Sequence, residues 1–137
     1  MTTLKEILYD LGNAVSGICD KTYPRSRPKA TLPSSRPDSY LVVDVPYLIR
    51  NNEIDGCGSY NDFTTTVQID VYVRDKVSPR NPNGFNLDVM SAKVSSVLKR
   101  FPIVTDNIVV TRPVVTLQTD DGDGFGVTII QGRLRTK

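Results

Sequence analysis

The stretch "FTTTVQIDVYVRD", Phe63 to Asp75, decides the fold. Within it Thr65, Val67, Ile69, Val71 and Val73 alternate with Thr66, Gln68, Asp70, Tyr72 and Arg74. Successive side chains of a strand point to opposite faces, so the alternation predicts a strand with one apolar and one largely polar face. The apolar face must be covered by other elements, and the polar face meets solvent or a neighbour.

Two helical patterns supply the cover. Leu4, Ile7, Leu8, Leu11, Val15 and Ile18 recur at three- and four-residue spacing, which stacks them on one side of a helix. Thr3 with Glu6 matches a capping box, in which hydroxyl and carboxylate each satisfy an orphan backbone N–H. A second helix follows the break "KVSPRNPNG": Asn86 caps it, Asp88 suits its positive end, and Leu87, Met90, Val94, Val97, Leu98 and Phe101 form its stripe. Lys99 and Arg100 suit its C-terminal end, and Pro102 stops it.

The run "TYPRSRPKATLPSSRPDS" follows the first helix. Its Pro24, Pro28, Pro33 and Pro37 lack an N–H and disfavour helical geometry in the preceding residue, so the segment at about 21–38 reads as an extended arm. It is basic, with Lys21, Arg25, Arg27, Lys29 and Arg36. "YLVVDVPYLIR" reads as a strand over Tyr40 to Val45, with Pro46 marking an edge or bend. At the C-terminal end, "IVTDNIVVTRPVVTLQT" and "FGVTIIQGRLRT" are rich in Val, Ile and Thr and flank "DDGDG", a strong hairpin signal. Two long antiparallel strands are expected there, with Pro113 implying an edge, a bulge or a split. The expected class is α+β: a single domain over 1–137, with one antiparallel β-sheet, both α-helices packed on one face and a long C-terminal β-hairpin.

Composition narrows the function classes. The chain has 39% hydrophobic and 23% charged residues, with no apolar run of the ~18 or more residues needed to cross a bilayer. No membrane span is expected, and "MTTLKEILYDLG" does not read as a secretory signal. The absence of histidine removes His-based triads, Cys-His dyads and His-containing zinc sites. Cys19 and Cys57 do not form a spaced framework and read as free thiols. A net charge of +2 does not by itself indicate nucleic acid, because phosphate binding needs clustered cations.

"TDDGDGFG", Thr119 to Gly126, tests the case for a metal. Placing Asp121 and Asp123 at the third and fifth positions of an EF-hand loop puts Gly124 sixth, but Ile130 then falls where a bidentate Glu is required. The loop reads as an exposed turn. Neither "GDGFG" nor "DGCGSY" ends in the Gly-Lys-Ser/Thr of a P-loop, and no histidine is present to activate Cys57. Asp44 and Asp70 lie on strands and read as solvent-facing or intersubunit carboxylates. Arg133, Arg135 and Lys137 alternate, hence share one face of a strand. No catalytic constellation, metal site or cofactor loop emerges, and no enzyme is expected.

The basic arm is the most suggestive charged feature. It reads as a segment docking on a neighbouring protein, with a solvated loop and nucleic-acid contact as the alternatives. Its candidate partner contacts are Arg25, Arg27, Lys29 and Arg36, and the candidate hairpin-tip contacts are Asp120, Asp121 and Asp123.

The order of these elements, with the strand ending in "VPYLIR", the "FTTTVQIDVYVRD" strand, the "NLDVMSAKVSSVLKRF" helix and a final strand pair, resembles that of tail terminator or tail completion proteins of tailed bacteriophages. The resemblance spans nearly the whole chain and rests on pattern, length and element order. It implies a structural virion protein of the tail or neck, assembled in the host cytoplasm. Such a protein forms a homo-oligomeric ring of six or twelve copies between portal or connector and tail-tube proteins, through which DNA passes without specific recognition. It implies no catalytic residue. A small nucleic-acid-binding or adaptor module using the basic arm is the second expectation.

Overall fold

The computed structural model describes residues 3–28, 32–46, 50–54, 60–77, 79, 82 and 84–136. The chain runs through α1 (Leu4–Ala14), β1 (Lys21–Pro24), β2 (Ser39–Asp44), β3 (Arg50–Ile54), β4 (Tyr60–Arg74), α2 (Leu87–Leu98), β5 (Ile103–Val104), β6 (Ile108–Asp120) and β7 (Phe125–Thr136). The class is α+β, with the sheet dominating.

The alternating strand organises the sheet. β4 pairs antiparallel with β7 from Thr64↔Arg135 to Arg74↔Phe125, while its other edge pairs with β2 over Gln68 to Val73 and with β3 near its start. The seven-stranded order is β1-β2-β4-β7-β6-β5, with β3 beside β4. Val67, Ile69, Val71 and Val73 are all buried, and the alternate residues from Thr66 to Arg74 are half-buried. One core cluster joins these valines and Ile69 to Ile7, Leu8 and Leu11 of α1, Met90 and Val97 of α2, and Ile130 and Leu134 of β7.

Local chemistry sets the helix ends. Glu6 N–H donates to the Thr3 hydroxyl and Thr3 N–H donates to the Glu6 carboxylate, each at 3.2 Å, so the capping box is formed. Asn86 accepts from Val89 N–H and caps α2. The end of α2 is tied to the end of α1: Arg100 Nη1 donates to the Ala14 carbonyl at 2.9 Å, where the orphan carbonyls of a helix C-terminus favour a cation. Lys93 Nζ likewise donates to the Ile18 carbonyl at 2.7 Å.

Three expectations are corrected. The sheet is mixed rather than antiparallel, because the start of the arm is a strand: Lys21 to Pro24 pair parallel with Tyr40 to Val43. The segment 25–38 is long enough to loop back and bring β2 alongside β1 in the same direction, as a parallel pair requires. Pro24 is tolerated because β1 is at the edge of the sheet. Of the edge or bend expected at Pro46 the edge is excluded: Pro46 lies past the end of β2, which is an inner strand. Leu87, expected on the buried stripe of α2, is 58% exposed. It lines a groove of about 480 Å³, with Met90, Val94 and Leu98 on one side and Thr128 on the other.

Pro113 sits at a bulge between Thr111 and Val114, beside Arg112 at φ 56°. Past Val110, among the described residues, no strand pairs with the outer edge of β6.

Gly132 of β7 is closely packed by its neighbours. A Cβ there would lie 2.9 Å from Val110 Cγ1 and 3.1 Å from Phe101 Cε1. Gly132→Ala is therefore expected to destabilise the fold by ~1–3 kcal/mol, read from a urea denaturation midpoint. An unchanged midpoint would show that these two side chains yield freely.

Candidate functional site

The residues singled out in the arm and at the hairpin tip meet each other. Arg36, far along the basic arm, is only 5% exposed, and its guanidinium reaches the turn between β6 and β7. Nη1 donates to Asp121 Oδ2 at 3.3 Å and Nη2 donates to Asp123 Oδ2 at 3.1 Å. A planar guanidinium presents its donors as a fixed fork, which suits two carboxylates held side by side.

The turn is built to hold those carboxylates. Asp121 N–H donates to the Phe125 carbonyl at 3.0 Å and closes the loop. Gly122 and Gly124 take φ of 80° and 90°, a region glycine enters without steric cost. Asp120 Oδ1 accepts from Gly122 N–H at 2.7 Å, and Asp121 Oδ1 accepts from Asp123 N–H at 2.7 Å and Phe125 N–H at 3.1 Å. These side-chain-to-backbone bonds leave Asp121 Oδ2 and Asp123 Oδ2 directed at Arg36. The cation that this acidic loop holds is the chain's own arginine. Among the described residues no group of three or more Asp, Glu or Cys side chains gathers to hold a metal ion.

A second guanidinium completes the latch. Arg74, the last residue of β4, donates through Nε to Asp38 Oδ1 at 2.8 Å and through Nη2 to the carbonyls of Pro33 at 3.1 Å and Arg36 at 2.6 Å. The short 3₁₀ turn at Pro33–Ser35 is thereby fastened to the sheet. The guanidinium carbons of Arg36 and Arg74 lie 5.5 and 4.7 Å from the Phe125 ring centroid, within cation–π range.

Beneath them is a small aromatic core. Tyr40 is fully buried; it stacks on Tyr72 at 4.5 Å and meets Phe125 and Tyr23 edge-on at 5.5 and 5.8 Å. The polar face of β4 was expected to meet solvent or a neighbour; near Tyr72 and Arg74 it meets the chain's own arm. Burial raises the Tyr40 and Tyr72 hydroxyls above their ordinary range, and the nearby Arg36 charge opposes this for Tyr40. Sequence reasoning missed Tyr40, Phe125, Arg74 and Asp38 as parts of this cluster. The visible signal was Tyr72, an aromatic residue at a position that the alternation assigns to the polar face.

The other candidate contacts fall elsewhere. Arg25 is exposed at the end of β1, its N–H donating to the Val43 carbonyl at 2.7 Å and its Nε 3.9 Å from Asp44 Oδ1. Arg27 is half-buried, and Lys29 and Cys57 lie outside the described residues. Asp120 and Asp123 are exposed and Asp121 is half-buried. Gln68 Nε2 donates to Asp70 Oδ1 at 2.9 Å, while burial pushes the Asp70 carboxyl above its usual range. Cys19 is buried, which raises its thiol and disfavours the reactive thiolate. No helix among the described residues is long and apolar enough to cross a membrane.

No family model matches the chain, and no curated protein matches it.

Two outcomes test the latch. Arg36→Ala leaves two carboxylates without their cation and is expected to cost ~2–3 kcal/mol, discounted from a fully buried pair because Asp123 is partly exposed. Asp123→Ala is expected to cost under ~1 kcal/mol. Equal losses in urea melts would mean that the two bonds do not share one anchor as described.

Asp75 gives a pH signature. Its Oδ1 is buried without a hydrogen-bond partner, and burial, followed by repulsion from Asp120 and Asp121, raises its carboxyl above the ordinary value. A raised carboxyl favours the fold below the unfolded value of about 4 and loses that contribution as pH rises through the folded value. Asp75→Asn is thus expected to melt higher than the parent at neutral pH, with the difference vanishing below pH ~4. A constant difference across that window would remove Asp75 from the pH dependence.

Proposed function

We propose that the chain is a structural subunit of a phage head-to-tail interface, tail terminator-like, acting as a homo-oligomeric ring in the virion. In this reading the two helices pack on one face of the sheet, and the long β6–β7 hairpin carries its acidic tip at the end of the sheet. The ring joins portal or connector proteins to the tail-tube proteins and leaves a channel for DNA, and the protein has no catalytic role.

The observation that carries the reading is the open sheet. Among the described residues no strand lies on the outer edge of β6 after Val110, and the strand then runs to Asp120 with Val114 and Val115 exposed. At the far end of the same sheet β1 is a second open edge. Open edges with exposed apolar side chains favour association with further chains. Two different edges on one subunit suit a head-to-tail contact, which closes into a ring when the rotation allows. The element order that resembles tail terminators supplies the biological setting.

The latch changes the roles first assigned to the charged residues. Arg36 is committed within its own chain, so the arm braces the hairpin tip instead of reaching a neighbour through that residue. In the ring Asp120 and Asp123, exposed at the tip, face the lumen or the adjoining protein; an acidic lumen repels DNA phosphates and limits sticking.

Negative-stain electron microscopy of the purified protein, alone and with connector and tail-tube proteins, is expected to reveal rings of six or twelve subunits. A particle that stays one subunit in mass under all these conditions would sink the proposal. Salt-sensitive binding to DNA, lost on joint neutralisation of Arg25 and Arg27, would favour the nucleic-acid module instead.

A further inference from the structure

The two open edges differ in chemistry, and the difference is complementary. Beside β1, between it and α1, lies an apolar groove of about 700 Å³ lined by Leu8, Tyr9, Gly12, Thr22, Pro24 and Arg25 among others. Tyr9 stands 69% exposed at its rim. Lys5 also lines the groove, and Lys21 is exposed on the adjoining strand, so cations border the apolar floor. Asp20 is exposed nearby and Asp44 faces Arg25, which offsets part of that charge.

The β6 edge is apolar and then acidic. Val114 is 55% and Val115 40% exposed, and the strand ends at exposed Asp120 beside exposed Asp123. Arg36 neutralises one of the tip's three carboxylates, and the remainder leaves the tip negative. Arg112, at the start of the free segment, is the cation on this edge.

Resting on the ring reading above, we infer that the β6 edge of one copy docks in the α1–β1 groove of the next, with Val114 and Val115 against Tyr9 and Leu8, and the acidic tip toward Lys5, Lys21 and Arg25. The partner is a second copy of this chain. The sheet order puts the two surfaces at opposite ends of one sheet, so a subunit uses both at once without blocking itself. Side chains carry the contact more than a continued ladder. Arg25 N–H is turned inward to Val43, so by strand alternation Thr22 and Pro24 face outward, and Pro24 has no donor.

The test uses two doubly substituted full-length proteins. Lys5→Glu with Tyr9→Glu disables the groove, and Val114→Asp with Val115→Asp disables the edge, so the two disabled surfaces repel each other; all four positions are exposed, and thermal melts check that the fold is kept. Native mass spectrometry is expected to find each variant monomeric alone, and an equimolar mixture to give a one-to-one dimer that grows no further, since only one good edge and one good groove remain. A mixture that stays monomeric, or either variant assembling like the parent, overturns the inference. If the parent forms rings while both variants do too, the ring stands and this contact falls; if the parent is monomeric throughout, both fall. The single replacements Tyr9→Ser and Val115→Ser only shorten exposed side chains. They are expected to weaken the same assembly, and they carry the test where a doubly charged variant loses its fold.

Discussion

Every other element is placed by one constraint: β4 is hydrogen-bonded along both edges, so its two faces must both be finished by the rest of the chain. On its apolar face Val67, Ile69, Val71 and Val73 join buried residues of α1 and α2 in one cluster. Its polar face cannot be left to water near Tyr72, because Tyr40 and Phe125 on the flanking strands raise aromatic surface on that side. The arm returns across this end and covers it. Arginine is the side chain for that task, since a guanidinium lies over aromatic rings while keeping its donors in plane for carboxylates and carbonyls.

How much of this was legible in the sequence follows from range. The α1 cap is written in Thr3 and Glu6, three residues apart, and the β4 strand in strict alternation; local rules suffice for both. The partnership of Arg36 with Asp121 and Asp123 spans most of the chain, and no local pattern encodes it. Composition also misled in a consistent way. Proline and arginine in the arm signal an exposed extended segment, but an extended backbone is also what an edge strand needs, and β1 forms where Pro24 does no harm. The basic and acidic segments were each recognised as special. The arm was read as docking on a neighbouring protein, whereas its Arg36 is satisfied within the chain.

The buried polar atoms locate strain in this arrangement. Asp75 Oδ1, near the tip, is buried without a hydrogen-bond partner, and the Tyr40 hydroxyl is buried beside the Arg36 guanidinium. Unpaired buried groups cost free energy, so this corner is less stable than a purely apolar core of the same size. A corner that tolerates such a cost is held by charge geometry, and charge geometry is directional. The latch fixes where the tip points more than it adds to stability.

Direction matters for the turn that joins β6 to β7. Among the described residues β6 past Val110 pairs only with β7, whose other edge is held by β4 along its length, so this part of β6 is an outer strand bonded on one side. Arg36 fastens the turn after it to the arm, and the Asp75 N–H fastens the Gly124 carbonyl to the end of β4. A docking edge ordered before it meets a partner loses less conformational freedom on association. In the proposed ring that lost freedom would otherwise recur at every subunit contact, so one intrachain ion pair lowers the cost of each of them.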